Sequence, residues 1–143
     1  MSDVSSISAV LFLRIPGLFD IPQQIQGFAA EDLFEFDAVS TVEAGVGADG
    51  KFFSGKIRVP RVMKITLLAS SDSNKFFDAW DAAETAANKT FTAQGTARIP
   101  SISTSYAMTD GAMTTYSPMA AAKKILMPRQ FTITWGSVVG APL

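Results

Sequence analysis

Over most of its length the chain alternates apolar and polar residues with a period of two, the period of a β-strand. In the run Leu33 to Glu43, Phe34, Phe36, Ala38 and Val42 share one face, and Glu35, Asp37, Val39, Thr41 and Glu43 share the other. Met63, Ile65, Leu67 and Ala69 alternate in the same way with Val62, Lys64, Thr66 and Leu68. The run Arg129 to Trp135 sets Phe131, Ile133 and Trp135 against Gln130, Thr132 and Thr134. Thr90 to Arg98 sets Phe91, Ala93 and Ala97 against Thr92, Gln94, Thr96 and Arg98. Ser101 to Met108 follows after Pro100, with Asp110-Gly111 read as a turn. Ser8 to Ile15 is almost wholly apolar and predicts a strand covered on both faces, ended by Pro16-Gly17. Ile21 to Phe28 predicts a weaker strand, placed at an edge by Pro22, with Gly27 a candidate bulge. These patterns predict a mainly β protein.

A helical period occurs once. Phe76, Phe77, Trp80, Ala83 and Ala87 recur at helical spacing, with Asp78, Asp81 and Glu84 opposite. Ser71, Asp72 and Ser73 are N-cap candidates, Asn88 is a C-cap candidate, and the alanines favour helix. The pattern predicts one helix over about residues 72–88, with Phe76, Phe77 and Trp80 packed on a sheet. Met119 to Met127 reads as either a short helix or a strand.

Gly45 to Gly55 joins two of the alternating runs. It holds Gly45, Gly47, Gly50 and Gly55 around the tight-turn pair Asp49-Gly50. The prediction is a long β-hairpin with a glycine-rich tip, at about residues 43–56. Beside that tip stand Phe52 and Phe53. Burying an aromatic side chain is worth about 1.5–3 kcal/mol. Either the tip folds back on its own core, or another molecule buries it.

The remaining features narrow the function. At 143 residues the chain is read as a single domain with a real core. It has no cysteine and no histidine, which removes disulfides, thiolate metal sites and the commonest general base. No P-loop, dinucleotide-binding glycine pattern or calcium loop is present. Glu35 and Asp37 are strand neighbours on a polar face with no third catalytic type beside them. No catalytic, metal or cofactor-binding residue is expected, and so no enzyme. No apolar run reaches the length of a membrane helix, and the start lacks a basic segment and a clean cleavage pattern, which predicts folding in a cytoplasm. Residues 1–50 carry eight acids and one base, a charge of −7, whereas residues 51–143 carry eleven bases and five acids, a charge of +6. That division either neutralises within one fold or gives a subunit two unlike ends suited to head-to-tail association.

Several strands pair one apolar face with one of small uncharged polar residues. An ordinary surface carries more charge. Such faces fit either the threonine-rich outside of a two-layer β-sandwich or the wall of a channel.

The order of these parts resembles the tail tube proteins of contractile-tailed bacteriophages, relatives of bacteriocin and type VI secretion tubes. The resemblance spans about residues 30–137. It is carried by the Gly47-Ala-Asp-Gly50 turn in an early hairpin, the strand-to-helix junction Lys64 to Asn74, the single aromatic helix and the closing strand Arg129 to Trp135. It implies a subunit whose strands join an inter-subunit β-barrel, with the helix outside. It implies hexameric rings that stack head-to-tail into a channel for DNA passage in a virion tail assembled in the bacterial cytoplasm. The partners implied are further copies of the chain and the sheath, baseplate and tape-measure proteins, with no membrane insertion. Gly45, Gly47, Asp49, Gly50, Phe52, Phe53 and Gly55 would form the ring-stacking hairpin. Glu35, Asp37, Gln94, Thr96, Ser101, Ser103, Ser105, Thr132 and Thr134 would face a lumen that lets DNA pass without gripping it. The competing reading is a monomeric β-sandwich or barrel binding a small ligand or peptide, which predicts Phe52 and Phe53 buried in their own subunit.

Overall fold

A computed structural model describes residues 9–28, 34–38, 41–56, 59–120, 122 and 126–142. Most of the Met119 to Met127 segment lies outside the described residues. Among the described residues nine strands and one α-helix follow in the order β1 (Val10–Ile15), β2 (Phe19–Ile25), β3 (Phe34–Phe36), β4 (Val42–Val46), β5 (Phe52–Lys56), β6 (Arg61–Leu67), α1 (Asn74–Ala87), β7 (Ala93–Ile99), β8 (Thr104–Thr115) and β9 (Arg129–Pro142). Seven strands form one antiparallel sheet in the order β2-β1-β7-β8-β9-β6-β3, and β4 and β5 form a separate two-stranded ribbon.

The apolar residues at every second position lie on one side of this sheet. Leu11, Leu13, Ile15, Met63, Ile65, Leu67, Phe131, Ile133 and Trp135 are fully buried there. The second layer over this face is α1, whose Phe76, Phe77 and Trp80 are buried. Phe77 stacks on Phe131 with ring centroids 4.3 Å apart, and Phe76 stacks on Phe19 at 4.7 Å. Trp80 Nε1 donates to the Phe91 carbonyl at 3.1 Å, and Glu84 accepts from the Phe91 amide at 2.8 Å. The indole thus buries its ring without losing its hydrogen bond. The sheet does not close within one subunit and ends in β2 on one side and β3 on the other. A single bridge, Phe28 to Leu67, and the bond from the Leu68 amide to the Gly27 carbonyl (2.8 Å) draw the chain after β2 toward β6.

Four features depart from the sequence pattern. Ser71, Asp72 and Ser73 supply no side-chain cap: Ser73 is the N-cap residue without such a bond. Its hydroxyl instead accepts from the Gln26 amide at 2.8 Å, and Ser71 donates to the Gln26 carbonyl at 2.5 Å. Gly27 (φ +76°) fits there because a Cβ would fall 2.4 Å from Ser71 Oγ. Asn74 completes the junction, donating to the carbonyls of Leu68 and Ser71 at 2.9 Å.

Asp110-Gly111 is not a turn. Both residues lie inside β8, whose register against β7 slips between Ala93 and Gly95. Asp110 takes φ +56°, and the Trp135 ring lies so close to Gly111 that a Cβ would meet it at 2.5 Å. The pair forms a bulge that admits the indole.

Ser101 and Ser103 are not in a strand. Pro100–Ile102 forms one 3-10 turn, and Ser103 takes a left-handed φ of +52°. Proline at the start of the turn sets its first φ and ends β7. The Ser8 to Ile15 run is not covered equally on both faces, because Leu11, Leu13 and Ile15 are buried while Val10, Phe12 and Arg14 are half-exposed.

Candidate assembly surfaces

The long hairpin is built in two sections. At its root β3 pairs with β6, Phe36 opposite Met63; beyond it β4 pairs with β5, Val42 opposite Lys56. The registers of the two sections differ by one residue: six positions separate Phe36 from Val42 in sequence, and seven separate Lys56 from Met63. A one-residue slip exchanges the faces of a strand. Among its described residues the run Leu33 to Glu43 does not present one core face: Phe34 packs on the core, whereas Phe36, in the same register, is 37% exposed and Val42, in the outer section, 50%.

The outer section stands clear of the sheet. Gly47 and Lys51 close it by an amide-to-carbonyl bond of 2.8 Å, and the Asp49 carboxylate accepts from the Lys51 amide at 3.0 Å. Gly50 takes φ +82°, which the turn requires. Val46 pairs with Phe52, and these two side chains, 68% and 71% exposed, form an apolar tip. Phe53, on the other face, lies across Gly45, where a Cβ would meet its ring at 2.8 Å. Neither phenylalanine is buried in its own subunit, which removes the prediction made by the monomeric binding-module reading.

The polar sheet face is the side opposite the core. Glu35 pairs with Lys64, and Lys64 with Thr132; Thr134 pairs with Val62 and Ala112. Farther across, Gln94 pairs with Arg14, Thr96 with Phe12 and Ala107, and Ser105 with Arg98. Glu35, Gln94, Thr96, Ser105, Thr132 and Thr134 thus share one face. Asp37 reaches it through a 3.4 Å salt bridge to Lys64. Ser101 and Ser103, in and beside the 3-10 turn, do not join it.

This face is not acidic. Glu35 and Asp37 are answered by Lys64 from the basic half of the chain, and Arg14 and Arg98 occupy the same side. Arg14 donates to Gln94 Oε1 at 2.8 Å. Only Arg14 interrupts the apolar run of β1, too little alternation to mark Phe12 and Arg14 as sharing this face.

A polar cluster ties α1 to β9. Arg129, 7% exposed, donates through Nη2 to Asp78 Oδ1 at 2.7 Å and through Nη1 to Oδ2 at 3.3 Å. The Tyr116 hydroxyl donates to the same carboxylate, and the guanidinium also donates to the Ser117 carbonyl. Arg129 holds the Asp78 carboxyl below its ordinary pKa. Burial, then the hydrogen bond to Asp78, push the Tyr116 phenol up. No short-range pattern signals this cluster, whose members lie 38 and 51 residues from Asp78.

The fold is similar to that of chains from contractile injection assemblies. A chain of the anti-feeding prophage cap, a tube-terminating cap, matches with a TM-score of 0.61 at 10% identity, covering 100% of this chain and 93% of that one. A chain of the sheath-tube complex of PVC, an extracellular contractile injection system, in its extended state, matches at 0.56 and 10% identity, covering 93% and 88%. A chain of the anti-feeding prophage baseplate matches at 0.55 and 9% identity, covering 94% and 92%. The fold is therefore tail-tube-like, mainly β with one helix. The chain belongs to the family described as tail fiber protein gp32, whose model matches residues 2–139. No curated protein matches it in sequence.

Proposed function

We propose that this chain is the structural subunit of a phage tail tube, assembling as hexameric rings that stack into a channel for DNA, and that it is not an enzyme. The observation that carries this reading is the hairpin. It projects an apolar tip, Val46 and Phe52, from a subunit whose sheet, among the described residues, also ends in two open edges. Exposed apolar surface and unpaired strand edges are liabilities in a monomer. Addition of further copies removes both. Lateral addition at the sheet edges closes a barrel around an axis. A tip that inserts into an unlike surface of the next ring makes a heterologous contact, and such contacts build filaments where the rotation between copies does not close. Gly45, Gly47, Asp49, Gly50, Phe52, Phe53 and Gly55 then act as the stacking hairpin. The face bearing Glu35, Gln94, Thr96, Ser105, Thr132 and Thr134 lines the lumen, with Asp37 beside Lys64. In that wall acids and bases answer one another locally, leaving little net charge to hold phosphate. The outer, helix-bearing side is left for sheath and baseplate proteins, and the lumen for the tape measure and DNA.

The family description favours a second reading, a fibre subunit, which would polymerise without a lumen. Negative-stain electron microscopy across a concentration series separates the two. Stacked rings or hollow filaments are expected. Solid filaments support the fibre, and a uniform monomer at high concentration counts against both.

A further inference from the structure

We propose that the groove between β2 and the first turns of α1 receives the hairpin tip of a second copy of this chain. The inference rests on reading the hairpin as a stacking contact, and it supplies the receptor that reading leaves open. The groove has a volume of about 460 Å³. Its lining sets Phe19 and Phe76, stacked on each other, among the glutamines of β2 and the residue after it, with Asp72 and Lys75 exposed beside them. One wall is the edge strand β2, whose outer margin pairs with no strand among the described residues.

Three properties match the groove to the tip. The first is apolar: Phe52 and Val46 are exposed, and the groove contains the stacked pair Phe19 and Phe76. Aromatic anchors in aromatic pockets recur at the centres of interfaces. The second is charge. Asp49 and Lys51 flank the tip before Phe52, while Asp72 and Lys75 flank the groove before Phe76. Each acid can meet the other copy's lysine, an arrangement that fixes register as well as partner. The third is backbone. Among the described residues the ribbon has two free strand edges, and β2 offers an unpaired edge to either.

Another groove, of about 560 Å³, is lined by Lys56, Arg61, Asp110 and Val138, with no aromatic side chain among its described lining residues. A smaller hollow of about 270 Å³ opens beside Phe12 and Arg14 on the polar face, away from the helix. Groove and tip are different surfaces of one chain, so their contact is of the heterologous, head-to-tail kind.

A charge exchange tests the pairing in the full chain. Lys75→Asp and Asp49→Lys each place like charges across the contact. Each is expected to raise the concentration needed for filaments by about tenfold or more, since like-charge juxtaposition costs several kcal/mol. The double variant is expected to recover most of that loss. Because the chain has no cysteine, Asp49→Cys with Lys75→Cys should give an oxidised ladder of linked subunits on a non-reducing gel. Filaments of Lys75→Asp at the wild-type concentration, alongside loss of filaments in Phe52→Ser, overturn the groove and leave the stacking hairpin standing. Wild-type assembly by both overturns the two readings together. A double variant no better than either single one also overturns the pairing. Circular dichroism of each variant separates these results from misfolding.

Discussion

Arg129 at the start of β9 is buried and Asp78 on α1 is half-exposed, their side chains being 8% and 44% accessible, yet they meet at 2.7 Å. The two partners therefore respond differently to removal. Taking away Asp78 leaves a buried guanidinium without its counter-charge, which for a fully buried pair costs about 3–5 kcal/mol. Asp78 sits partly in water, so Asp78→Ala should cost less, about 1–3 kcal/mol, read by urea denaturation.

The same pair sets an acid limit. Asp78 has its folded pKa below the ordinary 3.8, so the folded state binds its proton less readily than the unfolded chain does. Its contribution is present in full above that ordinary value and is lost as pH falls through the depressed one. Thermal melts of Asp78→Asn should lose less stability than wild type between neutral pH and pH of about 3. Equal losses in the two proteins would show that another group sets the acid limit.

Gly111 supports a second prediction. A Cβ there would stand 2.5 Å from the Trp135 ring, which is itself fully buried. Gly111→Ala must displace the indole or the strand, and overpacking of this kind costs about 1–3 kcal/mol. Asp110→Gly should act in the opposite direction, because it relieves a φ of +56°. Chemical denaturation of both variants checks the pair, and a bulge that tolerates alanine without loss would mean the indole has room to move.

The contrast between these two sites shows what the amino-acid pattern can reveal. Period-two alternation located the buried triads of β6 and β9, and helical spacing located Phe76, Phe77 and Trp80. Both are local signals of which side a residue faces. The polar face was partly legible for the same reason, since Thr132, Thr134, Gln94 and Thr96 follow from alternation in their own strands. Asp110-Gly111 misled because a dipeptide that suits a turn also suits a bulge, and the choice was made by Trp135, which lies 24 residues beyond Gly111. Ser101 and Ser103 were lost from the face because Pro100 starts a 3-10 turn. Arg129, Asp78 and Tyr116 were invisible, since only the packing of α1 on β9 brings them together. The one-residue slip within the hairpin was hidden too, as alternation reads smoothly through each leg taken alone.

The polar face supplies a third prediction, which rests on its being the lumen. Lys64 answers Asp37 there, whereas Thr96 is exposed between Phe12 and Ala107. Thr96→Lys should leave folding and assembly intact, because an exposed substitution away from a special site changes stability by about 0.5 kcal/mol or less. In assembled tubes it would repeat a cation at every subunit. DNA passing or entering such a tube should be retained, with retention falling as salt rises. Wild-type tubes should retain little. Equal retention by the two at low salt would remove the lumen assignment of this face.

The two phenylalanines of the hairpin should not behave alike. Phe53 already covers Gly45, whose missing Cβ makes the contact possible. Phe52 is 71% exposed and lies on the opposite face of the ribbon with Val46. Phe52→Ser should therefore leave the monomer's stability within about 0.5 kcal/mol of wild type, since little buried surface is lost within the subunit. It should nevertheless abolish filaments, because an aromatic anchor at an interface is worth about 2 kcal/mol or more. Phe53→Ser should loosen the ribbon modestly, as a cross-strand aromatic contact is worth about 0.2–1 kcal/mol, and should shorten filaments rather than prevent them. Sedimentation and negative-stain images of the two variants at matched concentration read this order. If Phe53→Ser is the more damaging, the contact is made by the ribbon's other face, and the receptor must be sought against Glu43 and Phe53 rather than against Val46 and Phe52.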